Sequence, residues 1–353
     1  MQDVNGVGVK KILLVKLSSL GDVVHTLPVV ADIRAALPGA QIDWVVEKSF
    51  AAVLTHCAGL HRVIRCDLRR WRKSPFARAT RQAWRDFKAD LQSEAYDAVI
   101  DLQGLTKSAL VARLSRLSPH GKRYALANQT EGSAYEAPTR WVADVAIPME
   151  THIHAVQRSR ELAARALGYG LSVVPKFGLK MPEASVFIDS DAMLNIANIL
   201  RARTVVLVHG TSRADKEWPV EHWVALGQNL AKAGYVVALA HGNAAEQARS
   251  QAIASGLNRA EVLLLPLLGL DALTQVLAAS AGVIGVDSGV SHIAVALDLP
   301  HVQIYNFDTA WRTGPVGSNP YQRQVSVFAQ PWPDVQAVWQ AWQACAGAEA
   351  GDR

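Results

Sequence analysis

The sequence predicts an α/β protein of two doubly wound halves, each a parallel sheet with helices on both faces. Short β-branched runs alternate with longer stretches of helical periodicity. The alternation stops at a stretch rich in Gly and Pro, residues 168–182, and restarts beyond it. The 353 residues, 50% apolar and 19% charged, suffice for about two domains with sizeable cores.

In the first half, Lys11–Val15, Ile42–Val46, Arg62–Cys66 and Ala98–Asp101 read as buried strands. Val23–Leu37, Phe50–Ala58, Arg78–Leu91 and Thr106–Leu117 read as the helices between them. Ala125–Pro148 contains Gly132, Pro138 and Pro148 and reads as a looser stretch, followed by a helix at His154–Leu167. After the linker, Thr204–His209, Val236–Ala240, Glu261–Leu265, Val283–Val286 and Val302–Tyr305 are strands. Val220–Ala233, Ala244–Ser255, Asp271–Ala279 and Val290–Leu297 are the helices among them. A last helix, Val335–Cys345, carries Trp339 and Trp342 and is expected to pack back toward the first domain. The expected domains are therefore 1–175 and 176–330, with 331–353 as the returning helix. No sequence repeat links the halves. Sheets of this kind bind ligands beyond the carboxyl ends of their strands, so the two domains are expected to face a cleft.

Charge is unevenly placed. The formal net charge is +5, yet residues 61–90 hold ten Lys/Arg against Asp67, Asp86 and Asp90, so that segment carries +7 and the remainder −2. The chain is therefore not generally basic, and one cationic patch points to a phosphate-bearing or otherwise anionic partner at one place. No apolar run reaches the roughly 18 residues that cross a bilayer. The first apolar stretch is cut by Lys16 and lacks a cleavage signal, so no signal peptide is expected. Cys57, Cys66 and Cys345 form no ligand spacing, which argues against a disulfide framework or structural zinc and fits a reducing cytoplasm.

Four post-strand segments carry chemistry. In Lys16–Asp22, Gly21 suits a tight turn and Asp22 lies at a helix start. There it either caps the helix or faces a ligand. The segment matches neither a Walker loop nor GxGxxG. His209–Pro219 offers Thr211, Ser212, Arg213 and Lys216 after a strand, either as a phosphate cradle or as a solvated loop. In Gly285–His292, the amides of Ser288 and Gly289 open a helix where a diphosphate is favoured, with Asp287 as a cap and His292 as an ordinary imidazole the plainer alternative. Arg69-Arg70-Trp71-Arg72-Lys73 offers planar bidentate donors for phosphate or carboxylate, or a solvated face. Trp71 alone is a thin case for stacking on a base.

Together, KILLVKLSSLGDVVHTLP (11–28), IDWVVE (42–47), RRWRK (69–73), YDAVIDLQGLTKSA (96–109), HGTSRADKEWP (209–219) and VDSGVSHIAVALDLP (286–300) resemble the lipopolysaccharide heptosyltransferases, inverting enzymes of the GT-B architecture. The resemblance runs over roughly 10–330, and RRWRK is similar to the branch that adds the first heptose. It implies ADP-L-glycero-β-D-manno-heptose as donor and Kdo2-lipid A as acceptor. It also implies Asp22 as general base and Lys216 as the donor-phosphate lysine, with Thr211 and Ser212 beside it. Asp287, Ser288, Gly289 and His292 would complete the donor segment, with Glu246 of HGNAAEQAR (241–249) on the ribose. Ser19, Gly21, Gln103, Lys107, Arg69, Arg70, Arg72 and Lys73 would face the acceptor. The chain departs from the pattern over 125–149.

The expected protein is a monomer, peripheral on the anionic cytoplasmic face of the inner membrane, needing no metal and no cofactor. No DxD-like carboxylate pair lies near either donor motif. His25 is read as packing in the first helix or supporting its neighbours. The alternatives are an enzyme adding a later heptose, or a non-catalytic nucleotide-sugar or nucleic-acid binder.

Overall fold

Apolar β-branched runs become parallel strands in both halves of the chain. The computed structural model describes residues 9–181, 203–258, 262–316 and 323–347, and divides the chain into two units, Met1–Gly178 and Leu179–Arg353. The first unit runs β1 (Lys11–Val15), α1 (Leu20–Thr26), α2 (Pro28–Ala36), β2 (Gln41–Glu47), α3 (Ala51–Leu54) and β3 (Arg62–Cys66). It continues through α4 (Leu68–Lys73), α5 (Arg78–Leu91), β4 (Ala95–Asp101), α6 (Thr106–Leu114), β5 (Arg116–Leu126), α7 (Pro138–Val142), β6 (Val145–Ile147) and α8 (Ala155–Leu167). The second unit runs β7 (Thr204–Val208), α9 (Val220–Lys232), β8 (Val236–Leu239), α10 (Ala244–Ser255), β9 (Val262–Leu264) and α11 (Leu270–Ala279). It closes with β10 (Gly282–Val286), α12 (Gly289–Ala296), β11 (His301–Tyr305), α13 (Ala310–Thr313), β12 (Gln324–Phe328) and α14 (Val335–Gly347).

Each unit has one six-stranded sheet, ordered β3-β2-β1-β4-β5-β6 in the first and β12-β11-β10-β7-β8-β9 in the second, with every pairing parallel. Both are Rossmann orders. The winding reverses between β1 and β4 in one sheet and between β7 and β10 in the other, which makes the carboxyl ends of those strands the expected ligand positions. Helices cover both faces, so the central strands β7, β10 and β11 are buried along their whole length.

Several sequence expectations need correcting. One helix was expected over 23–37, but two form. Pro28 has no amide hydrogen and starts α2, so the chain breaks at Leu27. The first helix also begins earlier, at Leu20, which places Gly21 in its first turn instead of in a tight turn. Strand β5 takes over the end of the helix expected over 106–117, since α6 stops at Leu114, and runs through the unassigned 118–124; its last two residues and β6 lie in the 125–148 stretch read as looser. The β5 run RLSPHGKRYAL contains Pro, Gly and four basic or imidazole side chains and has no apolar alternation to reveal it. Strand β12 was also not anticipated. The expected strand Glu261–Leu265 begins on a residue outside those described, as the linker's Pro182 does.

In the terminal helix, Val338, Trp342 and Cys345 of α14 are buried in the second unit's core with Leu230, Ile284 and Val302. Gly282 makes this possible. A Cβ there would lie 2.6 Å from the Trp342 ring and 2.5 Å from the carbonyl of Pro300.

Candidate functional site

Buried polar side chains collect at the carboxyl end of each sheet. Glu47 and Asp101 are the last residues of β2 and β4, while Lys16, His209 and Asp287 directly follow β1, β7 and β10; all are at most 9% exposed. Burying such groups costs free energy unless they are paired. Their partners define two constellations, one in each unit.

In the first unit, the β1 and β4 ends are tied together. Lys16 Nζ donates to the Leu102 carbonyl at 2.9 Å, and the Leu17 and Ser18 amides each donate to Gln103 Oε1 at 3.0 Å. Asp22 sits at the third position of α1, where its Oδ2 accepts from the Ser19 amide at 3.0 Å and the Ser19 hydroxyl at 2.8 Å. The capping alternative is thus realised in the geometry. The other oxygen, Oδ1, faces Lys16 Nζ at 3.6 Å and the Arg158 guanidinium at 4.0 Å, and the side chain remains 36% exposed. Burial alone would raise this carboxyl. The Lys16 ammonium and the Ser19 bonds outweigh it and hold Asp22 below its ordinary value, so it is an anion at neutral pH.

Burial brings Lys16 down to about 8 against the pull of Asp22 and Asp101, and lifts Asp101 to about 6 although the Gln103 amide, the Ser108 hydroxyl and the Gly104 amide all donate to it. Arg158 is carried by α8. That helix is anchored by the buried Arg160 fork on Asp32, at 2.7 and 3.0 Å, and by a Thr26–Ser159 hydroxyl contact of 3.2 Å. His25 is buried and packs edge-on to His154 at the start of α8, with ring centres 6.1 Å apart.

Lys107 links this constellation to the basic stretch. Its ammonium donates to Ser18 Oγ at 2.6 Å, and with Arg69 it opposes the upward effect of burial on Glu47. Arg69 also lies over the Phe50 ring at 5.4 Å. Arg69, Arg70, Arg72 and Lys73 all fall on α4 and are exposed, Arg70 standing 3.9 Å from Asp67.

The second unit's constellation spans the β7 and β10 ends. Lys216, in a short turn at Ala214–Lys216, donates to Asp287 Oδ2, and Thr211 Oγ1 donates to the Asp287 carbonyl at 3.1 Å. Asp287 Oδ1 faces His292 Nε2 at 3.5 Å. Burial would raise Asp287, yet His292 and Lys216 hold it well below the carboxylate range. Ser288 is the N-cap of α12 and accepts from the Ser291 amide at 3.4 Å, which leaves Gly289 as the first helical residue. Ser212 lies exposed on the same loop as Thr211. Glu246, in the first turn of α10, accepts from the Gly242 amide at 2.7 Å and from the Asn243 side chain at 2.7 Å. It lies flat against Gly210, where a Cβ would be 2.6 Å from the Glu246 carboxyl carbon.

Within each unit, then, the structure gathers the residues singled out in the sequence: Ser19, Asp22, Gln103 and Lys107 in one, and Thr211, Lys216, Asp287, Ser288 and His292 in the other. Glu246 joins the second group through Gly210. Sequence reasoning missed Lys16, Asp101 and Arg158 as partners. A lysine ending an apolar run and an aspartate ending a strand were the available signals. Arg158 lies far away in sequence and gave none. Among the described residues no cluster of three or more His, Cys, Asp or Glu could hold a metal ion.

Two Rossmann-type units, with an acid at the start of α1 in one and, in the other, a lysine-bearing turn bonded to Asp287 just before α12, have the architecture of the GT-B class. The family model described as glycosyltransferase family 9 (heptosyltransferase) matches residues 84–338. The chain belongs to that family. Lipopolysaccharide heptosyltransferase 1 of Escherichia coli K12 is 37% identical over 310 residues, covering 88% of this chain and 92% of that one. The solved structure of E. coli heptosyltransferase WaaC with ADP superposes with a TM-score of 0.79 at 34% identity, over 94% of this chain and 98% of the other. WaaC with ADP-2-deoxy-2-fluoro heptose gives 0.73 at 32% identity, over the same shares.

Proposed function

We propose that the protein transfers L-glycero-D-manno-heptose from ADP-heptose to the inner Kdo of Kdo2-lipid A, with inversion, as the first heptose of the lipopolysaccharide core. The observation that carries this is the division of chemistry between the two switch points. Displacement at an anomeric carbon needs a base on the attacking hydroxyl and positive charge on the departing diphosphate. Asp22, an anion at neutral pH and partly open to solvent, serves as the base. Lys216 and the amides opening α12 at Ser288 and Gly289 bind the diphosphate, with Thr211 and Ser212 alongside, Glu246 on the ribose, and Asp287 and His292 holding Lys216 in place. The relative solved with an ADP-heptose analogue supports this donor.

Ser19, Gly21, Gln103 and Lys107 shape the acceptor side next to Asp22. The exposed cations of α4 suit Kdo carboxylates and lipid A phosphates, which Arg binds bidentately. The protein acts as a monomer lying peripherally on the cytoplasmic face of the inner membrane. No helix among the described residues is long and apolar enough to cross a membrane, and the cationic segment favours an anionic surface. The test is ADP release from ADP-heptose. Release that requires Kdo2-lipid A and is slower with an acceptor already bearing a heptose is expected. Equal or greater release with the heptosylated acceptor would assign the enzyme to a later step.

A further inference from the structure

Helices α4 and α5 pack so that they leave a pocket of about 540 Å³ with an apolar and cationic lining. Leu68, Trp71 and Trp84 line it together with Arg72, Arg81, Arg85 and the α6 residue Lys107. The walls are fixed: Trp71 and Trp84 meet edge to face at 5.5 Å, and both contact Phe87, which is buried in the unit's core. The turn joining the two helices sets Pro75 in the pocket lining and leaves Phe76 88% exposed. Leu110, on α6 at the same pocket, is 48% exposed. A single exposed aromatic is ordinary on a protein surface. An exposed phenylalanine beside an aromatic pocket, in the one segment that holds all the excess positive charge, is a more specific combination.

We infer that the α4–α5 turn and this pocket form a bilayer-docking surface, with Phe76 entering the acyl region, the pocket taking an acyl chain of an anionic phospholipid, and Arg81 and Arg85 meeting lipid phosphates. Charge complementarity selects the occupant. The lining carries guanidinium groups, which pair bidentately with phosphate, while the rest of it is mainly apolar and aromatic, with Thr80 and Lys107 as its other polar members. Aromatic and cationic side chains together are what an interfacial segment presents to a membrane. The inference rests on the peripheral placement proposed above and gives it residues.

The experiment is cosedimentation of the full-length protein with vesicles of phosphatidylglycerol and phosphatidylethanolamine, alongside vesicles of phosphatidylcholine alone. Turnover is measured in parallel on a Kdo2 acceptor stripped of acyl chains and soluble in water. F76S should weaken binding to the anionic vesicles about tenfold, and R81E/R85E more steeply, while wild-type binding to phosphatidylcholine stays at least tenfold weaker. Both variants should keep turnover of the soluble acceptor within twofold, which shows them folded. Raising salt should weaken wild-type binding to the anionic vesicles more steeply than that of R81E/R85E, which has fewer cations left to screen. Anionic-vesicle binding unchanged in F76S, or equal wild-type binding to both vesicle types, would overturn the docking surface. Failure of heptose transfer with intact vesicle binding would instead overturn the proposed reaction and leave the docking surface standing.

Discussion

At Asp22 the observed cap and the proposed base are separable by one atom. Its bond to the Ser19 amide completes a helix cap, a contribution of ~0.5–2 kcal/mol, whereas a general base accelerates transfer ~10²–10⁴-fold. Asn keeps an oxygen for Ser19 but cannot accept the proton. Asp22→Asn should therefore leave the melting temperature and donor affinity nearly unchanged while kcat falls at least a hundredfold; a lower melting temperature with normal kcat would make the cap its whole role. Lys16 offers a second test. It is the main influence holding the Asp22 carboxyl low, so the proposed base stays ionised below the ordinary carboxylate range. Replacing Lys16 with Gln removes that charge and raises Asp22, so protonation intrudes at higher pH. The acidic limb of kcat/KM should move upward by a measurable fraction of a pH unit or more, and an unmoved limb would mean that Asp22 is not the titrating base. Asp22 was legible in the sequence as an acid at a helix start. Lys16 was not singled out, because a lysine closing an apolar run reads first as the end of a strand, and only the fold shows its ammonium turned inward onto the Leu102 carbonyl.

At the level of elements, loop-to-helix junctions set what each site can bind. The β7 end and α10 approach so closely that Gly210 faces the Glu246 carboxylate with no room for a methyl group. Gly210→Ala should push Glu246 away, raise the KM for ADP-heptose severalfold and spare the acceptor KM. Equal changes in both would point to general loosening. Helix α4 should show the opposite split. Neutralising Arg69, Arg70, Arg72 and Lys73 to Gln should raise the acceptor KM by an order of magnitude or more with little effect on donor KM, since the anions proposed for them belong to the acceptor. An unchanged acceptor KM would remove α4 from the site. Periodicity exposed most helices well: Arg78–Leu91 and Ala244–Ser255 have the same limits in sequence and structure. It failed at β5, where Pro119 and Gly121 interrupt a strand whose register shifts between Tyr96 and Ala98 on its neighbour. It also failed at the α1–α2 break, where an apolar stripe continues through a proline that the backbone cannot carry as one helix.

For the molecule as a whole, the alternation of strands and helices, interrupted once, was enough to give two doubly wound units. The Gly- and Pro-rich linker read at 168–182 contains Gly178, the last residue of the first unit. The terminal helix was not legible in the same way. Its two tryptophans signalled a buried face, and the contact that seats Trp342, against Gly282 on β10, lies too far away in sequence to be read there. The same limit applied to the sites: motifs named the loops, while the pairing of β1 with β4 and β7 with β10 decided which loops share a junction. The most direct test of heptose transfer is the mass of Kdo2-lipid A after incubation with ADP-heptose and the purified protein. A product heavier by a single heptose, absent when Asp22→Asn replaces the wild type, is the expected result. An acceptor of unchanged mass, with an authentic heptosyltransferase turning over in parallel, would contradict it.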